Sequence, residues 1–303
     1  MLIQDAFEDY IHNITIVENK SLKTVESYKR DLTTYQIYLQ QKQIFTIEDI
    51  FIQDIQEFLE EQKQQKKPSS INHMITTLRM FHRYISVTYP TLHDPTIHLH
   101  FIKNDKKLPL YFNVHDIETL LDSFGQSDQD LFYKALFEVL YGCGLRVSEL
   151  IHITLTDLHL SQGYLKVIGK GNKERLIPMH QRSIDALEAY IKYVRINWQK
   201  NKTSLVFINA LGHPVTRQYV HQLIKQKLAE LQLNPNLSAH SFRHSFATHL
   251  LDGGADLRVV QELLGHADIT TTQIYTHIQN KRLKEAYTNC NPRSKEGMKH
   301  EKI

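Results

Sequence analysis

Between Thr24 and Gln40, apolar side chains recur at Val25, Tyr28, Leu32, Tyr35 and Leu39, in steps of three and four. This spacing lines one side of a helix with 3.6 residues per turn. Ser21 or Thr24 supplies a cap for its start, and Glu26 places acid in its first turn. The pattern returns in "TIEDIFIQDIQEFLEEQKQQ", with Phe51, Ile55, Phe58 and Leu59 on one face. It returns again in "SSINHMITTLRMFHRYIS", with Ser69 or Ser70 as the cap. With the opening segment, these stretches predict a small bundle of four helices.

The periodicity breaks in "YPTLHDPTIHLHFIKNDKKLPLY", where Pro90, Pro95 and Pro109 fall among polar and basic residues. The expected organisation is an N-terminal helical domain at 1–95, a linker at 96–107, a second domain at 108–291 and a tail at 292–303. The second domain opens on the helical pattern "NVHDIETLLDSF", with an Asn or Asp near its N-terminus. "DQDLFYKALFEVLYGCG" reads as an apolar helix stopped by glycines, and "RVSELIHIT" resumes as helix. "GYLKVIGKGNKERLIPM" alternates apolar residues on both sides of a GKGN turn, the pattern of a β-hairpin. Helices follow through Leu231. The fold class predicted is mainly α with one small β-sheet.

A chain of 303 residues can bury two ordinary cores. Its net charge of +3 is too mild to indicate a nucleic-acid partner by itself. The distribution says more. Up to Asp105 there are 11 Lys+Arg against 14 Asp+Glu, and beyond it 25 against 19. A polyanion therefore meets more positive charge on the C-terminal part, although Lys20, Lys23, Lys29 and Arg30 could form one basic face in front. The two cysteines, Cys143 and Cys290, make no CxxC pair or disulfide framework. The acidic start "MLIQDAFEDY" lacks a signal-peptide apolar run, and no apolar run reaches the length of a membrane span. The expected location is cytoplasmic.

Five short places in the second domain carry candidate chemistry: Arg146 in "GLRVSEL", Lys170 in "GKGNKER", His240 and Arg243 in "HSFRH", His266 in "LLGHADI" and Tyr275 in "QIYTH". Each has a plain structural reading. Arg146 at a helix start is opposed by the helix dipole and could simply pair with Glu149, three residues on. Lys170 occupies a hairpin tip, where lysines are common, and "GKG" lacks the spacing of a nucleotide-binding loop. A lone loop histidine such as His266 is usually solvated, and Tyr275 is one of 15 tyrosines. His240 and His244, four apart on a helix, could hold a metal, but Ser241 stands where a metalloprotease motif needs Glu. Arg243 puts a fixed positive charge beside that pair, which favours an anion over a cation. His249 turns to roughly the opposite side of the same helix at about 100° per residue.

Taken together, two arginines, a lysine, two histidines and a tyrosine suit attack on a phosphodiester without metal. Arginine forks can bind both non-bridging oxygens and stabilise the charge gained in a pentavalent transition state. A lysine can protonate the leaving oxygen. Free tyrosine, with a pKa about 10, is roughly 0.1% ionised at neutral pH, and surrounding cations raise that fraction.

This set, in this order, resembles the tyrosine recombinase (phage-integrase) family. "SLKTVESYKRDL", "DKKLPLYFNVHDIETLL" and "GGADLRVVQELLGH" further resemble its Xer branch. The resemblance implies a SAM-like core-binding domain followed by an α+β catalytic domain, clamped around duplex DNA. It implies Tyr275 as nucleophile, forming a 3′-phosphotyrosine, with Arg146, Lys170, His240, Arg243 and His266 as the remaining catalytic set. His244 and His249 are expected to pack locally, and Glu149 and His277 to support. Lys29, Arg30, Arg79 and Arg83 are the candidate DNA contacts of the front domain. No cofactor and no metal are implied. The implied partners are a duplex recombination site, a homo- or hetero-tetramer with a second Xer-type recombinase, and a septal DNA translocase. The segment 281–291 would dock onto a neighbouring protomer. The biological role implied is resolution of chromosome or plasmid dimers. Alternatives are an integrase of a mobile element and a non-catalytic DNA-binding protein on the same fold.

Overall fold

A computed structural model describes residues 1–103, 110–169, 174–265, 283 and 286–295. The chain divides into two compact units, Met1–Lys107 and Leu108–Ile303.

The front unit is built from four helices: α1 (Ile3–His12), α2 (Leu22–Gln41), α3 (Ile52–Lys63) and α4 (Pro68–Thr88). Ser21 caps α2, its hydroxyl accepting the Thr24 amide. Leu32, Tyr35 and Leu39 of the expected α2 stripe are fully buried, while Val25 and Tyr28 pack at its margin. Two expectations are corrected. Neither Ser69 nor Ser70 caps α4: the helix starts at Pro68, whose fixed φ and missing N–H suit the first helical position, with Lys67 before it. Phe51 does not join the apolar face of α3. It sits at the N-cap, 63% exposed, and its amide donates to the Asp54 carboxylate at 2.8 Å.

The first half of the expected linker is part of this unit. The Asn72 side-chain amide pairs with both backbone groups of Ile102, at 2.9 and 2.8 Å. Leu99 is buried in the front core, and the Arg79 guanidinium lies over the Phe101 ring. Side-chain amide pairing of this kind is invisible to a reading of proline content.

The second unit is organised around α6 (Asp128–Gly142), buried on nearly every side from Phe132 onward. A helix buried on nearly every side must be a central one. Around it lie α5 (Val114–Asp122, capped by Asn113), α8 (Gln181–Ala189), α10 (Arg217–Glu230), α11 (Ala239–Asp252) and α12 (Leu257–Leu264). A π-helical segment, Tyr190–Arg195, continues α8 into α9 (Ile196–Trp198). The helix expected at "RVSELIHIT" is one short turn, α7 (Val147–Leu150), because a 3₁₀ turn at Leu155–Asp157 and a strand soon follow it. The hairpin is present as β2 (Tyr164–Ile168) and β3 (Glu174–Pro178), paired antiparallel with Val167 opposite Arg175. A third strand, β1 (Leu158–His159), completes the sheet in the order β1-β2-β3. Two residues are too few to show alternation, so periodicity does not reveal it.

The end of the expected second domain and the start of the expected tail both pack into this unit. Leu283, Tyr287 and Cys290 join the hydrophobic cluster of this unit, and the Tyr287 hydroxyl donates to the Gly142 carbonyl at 2.8 Å. In the helical turn Pro292–Lys295, Arg293 is buried and holds Asp122 at 3.1 Å and the fully buried carboxylate of Glu138. Within 281–291, Leu283, Tyr287, Cys290 and Asn291 are buried in their own chain.

His82 of α4 is buried in the front core, where its Nε2 lies 3.4 Å from the Tyr35 hydroxyl. Burial disfavours the imidazolium and lowers its pKa from 6.5 to about 4. Unfolded His82 takes up a proton below its ordinary pKa while the folded one does not, so stability is full above that value and falls as the pH drops toward the folded one. At pH 5 the loss is about 2 kcal/mol relative to pH 7.5. Urea unfolding of residues 1–107 at both pH values, with and without His82→Phe, checks this. The wild type should lose about 2 kcal/mol more than the variant on acidification, and an equal loss in both would refute the assignment.

Candidate active site

Three elements converge on one carboxylate. Glu149, on α7, is buried and surrounded by arginines from three other places in the chain. Arg146, at the N-cap of α7, donates its backbone N–H to Oε2 at 2.8 Å and its Nη1 to Oε1 at 2.8 Å. Arg175, on β3, forms a bidentate pair through Nη1 at 3.0 Å and Nη2 at 2.9 Å. Arg243, on α11, brings Nη1 to 3.8 Å of Oε2. Burial pushes the Glu149 carboxyl up, but the hydrogen bonds and charge of Arg175, then those of Arg146, outweigh it, so its pKa lies below the ordinary value.

Backbone oxygens hold the same arginines from the other side. Arg243 Nη1 donates to the Gly144 carbonyl at 2.8 Å, and Nη2 to the Leu264 carbonyl. Arg175 Nε donates to the Leu263 carbonyl at 3.0 Å. Leu263 and Leu264 end α12, where carbonyls lack partners within the helix and carry the negative end of its dipole. Gly265 follows in the left-handed conformation that closes a helix, with φ of 66°. Burial, then the neighbouring charge of Arg146, brings the Arg243 pKa down to about 10, so it remains a cation at neutral pH.

Of the six residues expected from sequence, the structure brings Arg146 and Arg243 together around Glu149. The Arg146 side chain is 38% exposed, so its guanidinium meets both the carboxylate and solvent. His240 lies three residues before Arg243 on α11 and is exposed. Lys170, His266 and Tyr275, like His277, lie outside the described residues. His244 and His249 pack locally. The Tyr111 ring stands edge-on to both, and His249 Nδ1 meets the Tyr141 hydroxyl at 2.9 Å.

Arg175 escaped the sequence reading, which took its hairpin for a carrier of Lys170. A signal was present: Arg175 and Ile177 alternate on the inward side of β3, so the strand aims an arginine into the interior. Glu149 was assigned only a supporting part, yet it joins all three arginines.

Three guanidiniums facing one carboxylate leave a net positive site suited to a phosphate. Residues 111–282 match the family model described as "Phage integrase family", and residues 7–86 match "Phage integrase, N-terminal SAM-like domain". The chain belongs to the phage integrase family and is a tyrosine site-specific recombinase. It is 40% identical over 295 residues to the tyrosine recombinase XerD of Staphylococcus haemolyticus, covering 96% of this chain and 100% of that one. It is 39% identical over 297 residues to XerD of Oceanobacillus iheyensis, covering 97% and 100%. Among solved structures, a XerH site-specific recombinase in a post-cleavage complex with palindromic difH substrate aligns with a TM-score of 0.69. Identity there is 25%, over 89% of this chain and 80% of that one. The Tn1549 transposon integrase with transposon right-end DNA shares the fold, with a TM-score of 0.73 at 18% identity over 94% and 99%. No helix among the described residues is long and apolar enough to cross a membrane.

Gly144 positions the carbonyl that holds Arg243. Its φ is 56°, and a Cβ there would lie 2.4 Å from the Phe246 ring. Gly144→Ala should therefore cost about 1–2 kcal/mol in left-handed backbone and a further 1–3 kcal/mol, roughly, in overpacking. Urea unfolding of both chains measures it, and a loss within about 0.5 kcal/mol, the range of an ordinary surface substitution, would show that this turn tolerates a side chain.

Proposed function

We propose that Tyr275 is the nucleophile of a DNA strand exchange in which Arg146 and Arg243 hold the scissile phosphate. The observation that carries this reading is the Glu149-centred cluster. It holds two of the family-matched arginines together, one of them partly open to solvent. The Tyr275 oxygen attacks phosphorus, a new tyrosyl ester forms, and the bond to the 5′-oxygen breaks. The phenolic proton passes to His240, His266 or water. Lys170 protonates the departing 5′-oxygen. The 3′-phosphotyrosine conserves the ester, so a 5′-hydroxyl from the partner strand reverses the step and yields a Holliday junction. Likeness to the XerD proteins supports resolution of chromosome or plasmid dimers, by a homo- or hetero-tetramer with a second Xer-type recombinase. A septal DNA translocase would act as regulator. Neither the mobile-element role nor the non-catalytic one is favoured by the relatives.

A nicked, labelled duplex carrying an Xer-type site, incubated in EDTA and run on a denaturing gel, tests the chemistry. Wild type should give a protease-sensitive covalent band and Tyr275→Phe none. Free cleaved DNA appearing only with Mg²⁺ would refute the tyrosine mechanism.

In the front unit, Lys29 and Arg30 of α2 and Arg83 of α4 are exposed, so they are available to phosphates. Arg79 also stacks on Phe101. Each phosphate contact contributes about −0.9 to the slope of log affinity against log salt. Lys29→Ala and Arg30→Ala should each flatten that slope by roughly this amount in fluorescence anisotropy. An unchanged slope would remove the residue from the interface.

A further inference from the structure

Glu149 presents a difficulty for the site it organises. A buried carboxylate beside two phosphate-binding arginines attracts the guanidiniums that the phosphate needs. Arg243 Nη1 stands only 3.8 Å from Oε2, and Arg146 Nη1 already bonds Oε1. Arg175 relieves this. Its two Nη groups occupy one site on each carboxylate oxygen, at 3.0 and 2.9 Å. With the Arg146 backbone N–H and Nη1, they supply four donors, which matches the accepting capacity of a carboxylate. A like cation in that place also keeps a net positive charge directed at the phosphate.

Arg175 reaches further than Glu149. It is 5% exposed, on the strand that pairs with β2, and the hairpin so formed carries Lys170 between Ile168 and Glu174. Its Nε holds the Leu263 carbonyl while Arg243 holds the adjacent Leu264 carbonyl. Gly265 lies against it, since a Cβ there would come within 3.1 Å of Arg175 Cδ. One planar guanidinium therefore joins the hairpin, α7 and the end of α12. An apolar side chain could fill such a place without the cost of burying a charge.

We propose that Arg175 is a positioning residue for DNA cleavage: it neutralises Glu149 so that Arg146 and Arg243 stay available to the scissile phosphate, and it sets the hairpin against them. The proposal rests on the assignment of Arg146 and Arg243 to the phosphate.

The test measures the rate of covalent adduct formation on the nicked duplex, its pH profile, and affinity for the uncleaved duplex. The chains compared are wild type, Arg175→Gln, Arg175→Lys and the double variant Glu149→Gln/Arg175→Gln, each checked for cooperative unfolding. Arg175→Gln should bind the duplex within about 3-fold of wild type yet form adduct about 100-fold more slowly, as expected when reacting groups are misplaced. Arg175→Lys, which keeps the charge and loses the fork, should recover part of the rate. The decisive chain is the double variant. With the carboxylate neutral, it should react faster than Arg175→Gln, whereas two residues that merely hold the fold would compound their losses. A double variant no faster than Arg175→Gln overturns the proposal. If Arg175→Gln does not fold, a folded Arg175→Lys reacting at the wild-type rate overturns it equally. Adduct formation at full rate by Arg146→Lys and Arg243→Lys, or no adduct from wild type, would overturn the phosphate assignment and with it this proposal.

Discussion

The buried carboxylate of Glu149 is the constraint that the catalytic unit is arranged to satisfy. A lone ionised acid in that position would be too costly to keep. It is tolerated because α7, β3 and α11 each deliver an arginine to it, and the elements must take up their relative places for those arginines to arrive. The two carbonyls at the end of α12 complete the arrangement from behind. Electrostatic satisfaction and site geometry are thus one requirement. An unsatisfied charge here would also be a misplaced guanidinium.

The two units meet their polar obligations differently. The front unit has an aromatic interior, where Phe7, Tyr10, Tyr35, Phe58 and Phe81 meet edge to face, tilted or, for Phe7 and Tyr35, stacked, and its buried histidine stays neutral. The catalytic unit instead buries charged groups together, around Glu149 and where Arg293 meets Glu138. Ionic clusters suit a part that must fix the direction of charged side chains, since a fork of hydrogen bonds defines an angle as well as a distance.

Much of this was legible beforehand. The three- and four-residue steps of α2 put Leu32, Tyr35 and Leu39 where they are buried, and the alternation about "GKGN" located β2 and β3. The motifs singled out Arg146 and Arg243, and the structure places both beside Glu149. What stayed hidden depends on contacts between distant residues. Asn72 clamping Ile102, Arg175 reaching Glu149 and Arg293 reaching Glu138 leave no local period, and composition alone assigned two of those segments to a linker and a tail. Pro68 shows a subtler limit. The serines after it are good caps, but a proline fits the first turn and moves the boundary ahead of them.

The pairing of Arg293 with Glu138 spans 155 residues of chain. Synthesis runs from the N-terminus, so Glu138 and the helix around it leave the ribosome well before their counter-charge exists. Until Arg293 emerges, Glu138 lacks its strongest counter-charge, and only the weaker fields of Lys134 and Arg182 oppose the cost of burying it. The order of translation thereby separates the two units in time. The front bundle can close as soon as its own segment is made, while the catalytic unit waits for Arg293 to emerge.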